Sequence, residues 1–356
     1  MHEKLLIYKN KKVFITGNSG FKGAWLSIFL KELGAKVIGY SDKIKWEKSV
    51  FDYNSINNIK QIWGDIRDYK NLEKCITENN PDFIFHLAAQ PLVIEGFKNP
   101  FDTFTTNISG TLNLLDIVYK NNIFKPVVIV TSDKVYNNQK NANQKFSEDS
   151  TLGGNCPYST SKVICEILGK SYRDLSDNLR IRIVRGGNVL GGGDWSSNRI
   201  IPDLVNSIVN KSEPVIRNPK HIRPWSYVLD IVFGYLLVGL DALDSNRNFD
   251  SFNIGSLEHK NKTVLDVAKL FLKSFEKYNI KVVNNHQYKE SNFLSLDTSK
   301  AKNKIFWSPM LNFEEIIRQT ASWYKRALNN EDPYIITKDH IDNYFNLIFK
   351  GNKKYA

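Results

Sequence analysis

Cysteine is scarce in this 356-residue chain, and Cys75, Cys156 and Cys165 have neither disulfide nor zinc spacing. Reduced thiols are expected. No apolar run approaches the ~20 residues that a bilayer span needs. The N-terminal segment MHEKLLIYKNKK lacks the apolar stretch and small-residue cleavage site of a signal peptide. A cytoplasmic location without membrane contact is expected. None of the six histidines has a partner at metal-ligand spacing, so no metal site is expected. His86, on a predicted strand, reads as a core residue. Internal repeats and low-complexity segments are absent as well.

Positive charge is in excess, at +12. Such a balance suits nucleic acid, an anionic membrane surface or an anionic small substrate. The lysines are scattered through a Lys-, Asn- and Ile-rich chain, and no basic-aromatic stripe accompanies them. Nucleic acid is therefore not an expected partner.

Strand and helix patterns alternate through the first half. Val13-Phe14-Ile15, Lys36 to Tyr40, Phe83-Ile84-Phe85, Val127 to Val130 and Ile181 to Val184 read as strands. Helical spacing runs from Phe21 to Leu33, from about Phe101 to Tyr119, and onward from Pro157. This rhythm predicts an α/β fold: a doubly wound parallel Rossmann sheet with a smaller, partly discontinuous C-terminal substrate lobe. Residues 1–185, with roughly 226–256 returning to them, form the expected dinucleotide domain. Residues 186–225 and 257–356 form the expected lobe. Its last clear helical pattern covers about Phe313 to Leu328.

The first strand runs into Thr16-Gly17-Asn18-Ser19-Gly20-Phe21-Lys22-Gly23, and a helix follows at once. Glycines at this spacing let the backbone approach a pyrophosphate seated on the helix N-terminus. Gly17, Ser19, Gly20, Phe21, Lys22 and Gly23 are the candidate cofactor loop. Asp42, just after the second strand, is a candidate ribose partner that would favour NAD. The adjacent Lys43 would instead meet a 2′-phosphate. Asp65 and Ile66, after the next strand, are placed to flank the adenine. Ala88, Ala89 and Gln90, after the fourth, leave room for the cofactor.

Tyr-x-x-x-Lys occurs at Tyr8/Lys12, Tyr136/Lys140, Tyr158/Lys162 and Tyr334/Lys338, so the pattern alone says little. Only Tyr158 and Lys162 open a helix that follows a central strand, the one leading to Ser132. Residues four apart on a helix share a face. A tyrosine acting as base near neutral pH needs about 4 kcal/mol of preference for the phenolate. The Lys162 ammonium and a nicotinamide cation are the expected sources. Asp133 and Lys134 add an acid and an amine, more than an oxidation requires, and suit a second proton transfer such as elimination of water. A surface ion pair is the plainer alternative. Asn188, Arg199, Arg217 and Arg223 fall in the second lobe, where arginines suit a diphosphate.

With these residues in view, the chain resembles the extended short-chain dehydrogenase/reductases, and within them the CDP-glucose 4,6-dehydratases. The telling segments are TGNSGFKGAWL, GDIRD, HLAAQPLV, TNISGTLNLL, VTSDKVY, LGGNCPYSTSK, GGNVLGGGDWSSNRIIPDL, RNPKHIRPWSYVL and LDTSKAKN. The resemblance implies NAD at Gly17, Gly20 and Gly23, and Tyr158 with Lys162 as the redox pair. It implies Ser132, Asp133 and Lys134 as the hydroxyl, acid and base of dehydration. It places Asn107 beside the active site, and Asn188, Arg199 and Arg223 near the nucleotide of the sugar substrate. It further implies oxidation at C4, loss of water across C5–C6 and return of the hydride to C6. A homodimer is implied too, through a four-helix bundle of the helices spanning roughly 101–121 and 157–175.

Two segments depart from the pattern. Ile94-Glu95-Gly96-Phe97 stands where Arg-x-Ser-Tyr is expected on the sugar side, and Asn155-Cys156 precedes Pro157 where an Asp is more usual. Rival readings are a 4,6-dehydratase of another nucleotide hexose, a 4-epimerase and a non-catalytic sensor. Asp133 and Lys134 argue against the epimerase, and the Ser-Tyr-Lys set against the sensor.

Overall fold

Val13 and Ile15 bury their side chains on one side of their strand and Phe14 on the other. Successive residues of a strand point to opposite faces, so a continuous apolar run demands cover on both. The computed structural model describes residues 2–44, 49–51, 55–138, 145–244, 249–256, 262–276, 279–283 and 294–350. Seven parallel strands form the main sheet: β1 (Lys12–Thr16), β2 (Lys36–Ser41), β3 (Lys60–Trp63), β4 (Phe83–His86), β5 (Pro126–Val130), β6 (Arg180–Gly186) and β7 (Phe249–Ile254). Their order is β7-β6-β5-β4-β1-β2-β3, with the strand order reversing beside β1. In such sheets ligands bind beyond the carboxyl ends of the strands at that reversal.

The principal helices are α1 (Phe21–Glu32), α2 (Tyr69–Asn79), α3 (Gly110–Lys120), α4 (Pro157–Leu175), α5 (Ile200–Val209), α6 (Val228–Asp241), α7 (Val264–Lys273), α8 (Phe313–Leu328) and α9 (Pro333–Lys350). One core cluster holds Trp25, Phe29, Leu236, Phe271, Trp323 and Tyr344, from α1 and the later helices. A second holds Phe14, Leu72, Leu115 and Ile129, with α2 and α3 against the opposite face. The helical pattern over 101–119 is interrupted by a π turn at Thr105–Ser109, where α3 begins. The expectation that the last helix ends near Leu328 is corrected by α9. Pro333 opens that helix, and Ile336, Ile341, Tyr344 and Ile348 are its buried stripe. Among the described residues no helix is long and apolar enough to cross a membrane.

Candidate active site

The glycine loop joins β1 to α1 beyond the carboxyl edge of the sheet. Gly17 has φ +71, and a Cβ there would sit 2.7 Å from the Ala88 nitrogen. A Cβ on Gly23 would sit 2.2 Å from the Gly17 carbonyl oxygen. Only glycine keeps this turn closed against α1, and the result is a side-chain-free cradle of the kind a pyrophosphate needs. Ala88 donates its N–H to the Thr16 hydroxyl, which holds the segment after β4 against the loop. Ser19 donates to the Lys43 carbonyl. Asp42 and Lys43 are both exposed at the end of β2.

The remaining candidates around the cradle divide. Asp65 is engaged by the Arg67 guanidinium, which holds its carboxyl below the usual range and also reaches Asp102. Ile66 is buried in the core beneath Gly110. The Gln90 side chain donates to Thr103 and accepts from the Leu92 N–H. Asn107, at the π turn, accepts from the Gln90 N–H and donates to Ser161 and the Gln90 carbonyl. Asn107 and Gln90 thus brace the segment after β4, and neither lines the cleft that opens next to the cradle. His86 bridges Thr16 and Thr111, and burial with the nearby Lys162 charge pushes it down to about 3. It is a core histidine, as expected.

Next to the cradle opens a cleft of about 350 Å³. Ser132, Asp133, Lys134 and Tyr158 line it together, with Asn188, Arg199, Arg217 and Arg223. The four-residue spacing of Tyr158 and Lys162 starts at a well-made helix end. Cys156 caps α4 through its sulfur, Ser159 reciprocates, and Pro157 occupies the first turn. The segment 93–98 crosses close by: a Cβ on Gly96 would approach the Tyr158 nitrogen to 3.3 Å. The other three tyrosines of the repeated pattern are elsewhere. Tyr8 bonds to the Leu236 carbonyl, Tyr136 to Asn253, and Tyr334 to Lys31.

Charge states in the cleft follow from burial. Asp133 is 2% exposed; the Ser132 hydroxyl donates to its Oδ1 at 3.0 Å, and its Oδ2 has no partner among the described residues. Burial raises its carboxyl above the ordinary range, against the pull of Lys134, Ser132, Arg223 and Lys22. Tyr158 differs from expectation. Burial pushes it up to about 12, and the groups drawing it down are Ser132, by a hydrogen bond, and Arg199. Lys162, itself lowered by burial, donates to the Val130 carbonyl at 3.1 Å rather than to the phenol. The protein's own charges therefore do not bring the phenol's pKa down to neutral pH.

Lys22 reaches beyond the cofactor loop. Its ammonium points into the cleft and donates to the Tyr235 hydroxyl at 3.2 Å. Burial, Lys162 and Arg199 pull it down to about 7, opposed by Asp133 and Asp194. Tyr235 had no signal in the sequence beyond residue type, and Asp194 and His221 stood out only as members of the GGGDW and HIRPW segments. Asp194 sits in a loop pinned by the Trp25 indole at the Gly192 carbonyl and by the Tyr324 hydroxyl at its own carbonyl. Its carboxylate accepts from Arg199 at 3.0 Å. Asp203 and Asn198 hold Arg217 in the same way, at 2.8 and 2.7 Å. Two guanidiniums are thus oriented on one wall of the cleft.

The profile of the family described as GDP-mannose 4,6 dehydratase matches residues 14–320. The chain belongs to that family. It is 35% identical over 349 residues to a CDP-glucose 4,6-dehydratase of Salmonella typhimurium, covering 95% of this chain and 97% of that one. Among solved structures, the epimerase Mth375 of Methanothermobacter thermautotrophicus aligns with a TM-score of 0.81 at 24% identity, covering 92% and 96%. A dTDP-glucose 4,6-dehydratase of Bacillus anthracis, solved in complex with NAD, aligns at 0.75 and 23%, covering 92% and 99%. These likenesses bear out the doubly wound fold and the resemblance to the extended short-chain dehydrogenase/reductases.

Proposed function

We propose that this chain is an NAD-dependent 4,6-dehydratase that converts CDP-glucose to CDP-4-keto-6-deoxyglucose and water. The observation that carries this reading is Asp133: a buried carboxyl, raised in pKa, with one oxygen unpartnered among the described residues, in the cleft beside Ser132 and Tyr158. An oxidation or epimerisation at C4 has no use for such an acid. A dehydration needs a proton delivered to the departing C6 hydroxyl.

The Gly17–Gly23 cradle fits a dinucleotide pyrophosphate, with Ala88 and Ala89 leaving space beside it. NAD, when bound there, supplies the hydride acceptor at C4 and the hydride donor at C6. Arg199 draws the Tyr158 phenol down only in part, and a nicotinamide cation beside it would add to that pull. Tyr158, assisted by Ser132, takes the C4 hydroxyl proton, and Lys162 anchors the same helix face. Lys134 takes the proton at C5, which is acidic because it lies α to the new carbonyl. Asp133 protonates the leaving hydroxyl. Arg199 and Arg217, oriented by Asp194 and Asp203, hold the diphosphate, with Asn188 and Arg223 beside them. Asp42, just after β2, favours NAD over NADP, so titration should show tighter NAD binding.

The cytidine base is supported by the Salmonella relative. The residues 186–225 and 257–356 are proposed as the nucleotide-sugar lobe, and the cytoplasm as the site of action. We also propose a homodimer through 101–121 and 157–175, where Phe101, Leu112, Tyr119, Ile167 and Leu175 expose apolar surface. Incubation with a panel of nucleotide hexoses, followed by the alkaline absorbance of the 4-keto-6-deoxy product, tests the function. CDP-glucose should react fastest. A faster reaction with another nucleotide hexose would reassign the substrate, and 4-epimer formation without dehydration would sink the reading.

A further inference from the structure

Glu166, on the Tyr158 helix α4, and Arg185, near the end of β6, form an ion pair outside the lining of the cleft. Their side chains are 4% and 6% exposed. The Arg185 guanidinium donates through Nε to both Glu166 oxygens at 3.0 Å and through Nη2 to Oε2 at 2.6 Å. A pair buried this deeply loses in desolvation much of what it gains in attraction, so stability alone gives little reason for it. What the pair touches gives a better one. Glu166 also accepts from the Thr131 hydroxyl at 2.7 Å; the Val184 carbonyl is farther from that hydroxyl, at 3.3 Å. Arg185 donates through Nη1 to the Tyr136 hydroxyl at 2.8 Å and to the Glu148 carbonyl at 3.0 Å. Thr131 and Tyr136 stand at the two ends of Ser132-Asp133-Lys134-Val135. The Tyr136 hydroxyl donates onward to Asn253 on β7 at 2.6 Å. One turn before Glu166, Lys162 holds the Val130 carbonyl at 3.1 Å.

We infer that Glu166 and Arg185 are positioning residues for the elimination of water: a buried clamp that fixes the turn bearing Asp133 and Lys134, at both its ends, against the helix bearing Tyr158. The inference rests on the reading of Asp133 and Lys134 as the acid and base of that step. Oxidation at C4 and elimination across C5–C6 use two sets of groups on one bound sugar. One set sits on α4 and the other on the turn after β5, so their separation has to hold through both steps. A displacement of about 1 Å in a reacting group can cost on the order of 10²-fold in rate. Glu166 and Arg185 act on that separation only through Thr131 and Tyr136.

Replacing Glu166 or Arg185 would strand a buried charge and threaten the fold, so the clamp is tested from its ends. Thr131→Val and Tyr136→Phe each remove one hydroxyl and leave the ion pair whole. Steady-state kinetics with CDP-glucose on the full chain, with the absorbance of bound reduced nicotinamide followed in parallel, reads the outcome. Each variant should lower kcat about tenfold at nearly constant KM. Reduced nicotinamide should build up with substrate bound, because the hydride leaves C4 before the step that is slowed. Thr131→Ser, which keeps the hydroxyl, should restore most of the rate. Wild-type kcat in either Thr131→Val or Tyr136→Phe overturns the clamp. So does a rise in KM at unchanged kcat, or a slowed enzyme that accumulates no reduced nicotinamide. A wild-type protein that yields no 4-keto-6-deoxy product would overturn the dehydratase reading itself, and this inference with it.

Discussion

Replacing Lys22 by methionine should stabilise the protein at neutral pH, and the reason is that the cleft holds an ammonium it does not fully solvate. Methionine keeps the length of the stem and removes the charge. Moving the lysine from 10.5 to about 7 corresponds to ~5 kcal/mol for a sealed site. Part of the side chain is reached by water through the cleft, so screening leaves roughly 2–3 kcal/mol. Losing the bond to Tyr235 costs about 1 kcal/mol. The net gain at pH 7 is therefore about 1–2 kcal/mol. Its sign depends on pH. The folded pKa lies below the unfolded one, so the lysine costs nothing above the unfolded value, and stability is lost as pH falls from about 10 towards 7. Lys22→Met should thus be more stable than wild type at pH 7 and slightly less stable near pH 10. Urea unfolding of both proteins at the two pH values measures this. No gain at pH 7, or an equal gain at pH 10, would refute the claim that the cleft carries a desolvated cation.

Asp230 is the opposite case: it is 1% exposed, its Oδ1 accepts from Tyr344 and the Met310 N–H, and burial pushes it up to about 7. Its folded pKa lies above the unfolded one, so its contribution is lost as pH rises through about 7; Asp230→Asn should flatten the fall in unfolding free energy between pH 5 and pH 8. Asp133→Asn and Lys134→Ala should each lower product formation by about 10²-fold or more, the scale of one acid–base group, while the absorbance of reduced nicotinamide builds up with substrate bound. Tyr158→Phe should give neither signal, and wild-type turnover in Lys134→Ala would return Asp133 and Lys134 to a structural pair. Gly23→Ala should abolish dinucleotide binding in a fluorescence titration, because its Cβ has no room beside the Gly17 carbonyl. Arg199→Ala should raise KM by roughly 10- to 100-fold, matching 1.5–3 kcal/mol for a charged hydrogen bond.

What could be read in the chain was what lies close together in it. The central strands were legible because burial on both faces makes them continuous apolar runs, and α4 because Pro157 marks its first turn. Ser132, Asp133 and Lys134 are consecutive, and Tyr158 with Lys162 repeats at a helical interval. The helix α9 was missed because exposed Ile335, Leu347 and Phe349 stand among its buried positions and blur the polar face that an amphipathic pattern requires. The contact of Lys22 was not legible for a different reason. Its partner Tyr235 is 213 residues away, and no local pattern carries that contact. The same limit applies to protonation. Spacing put Lys162 beside Tyr158, but its ammonium turns to the Val130 carbonyl, and burial then decides the state of the phenol. The Asp133 carboxyl is raised because the end of β5 delivers it to a buried position. Desolvation is a property of everything packed around a group. A motif can therefore name the groups that meet substrate, while the sheet edge that gathers them sets which of them hold protons.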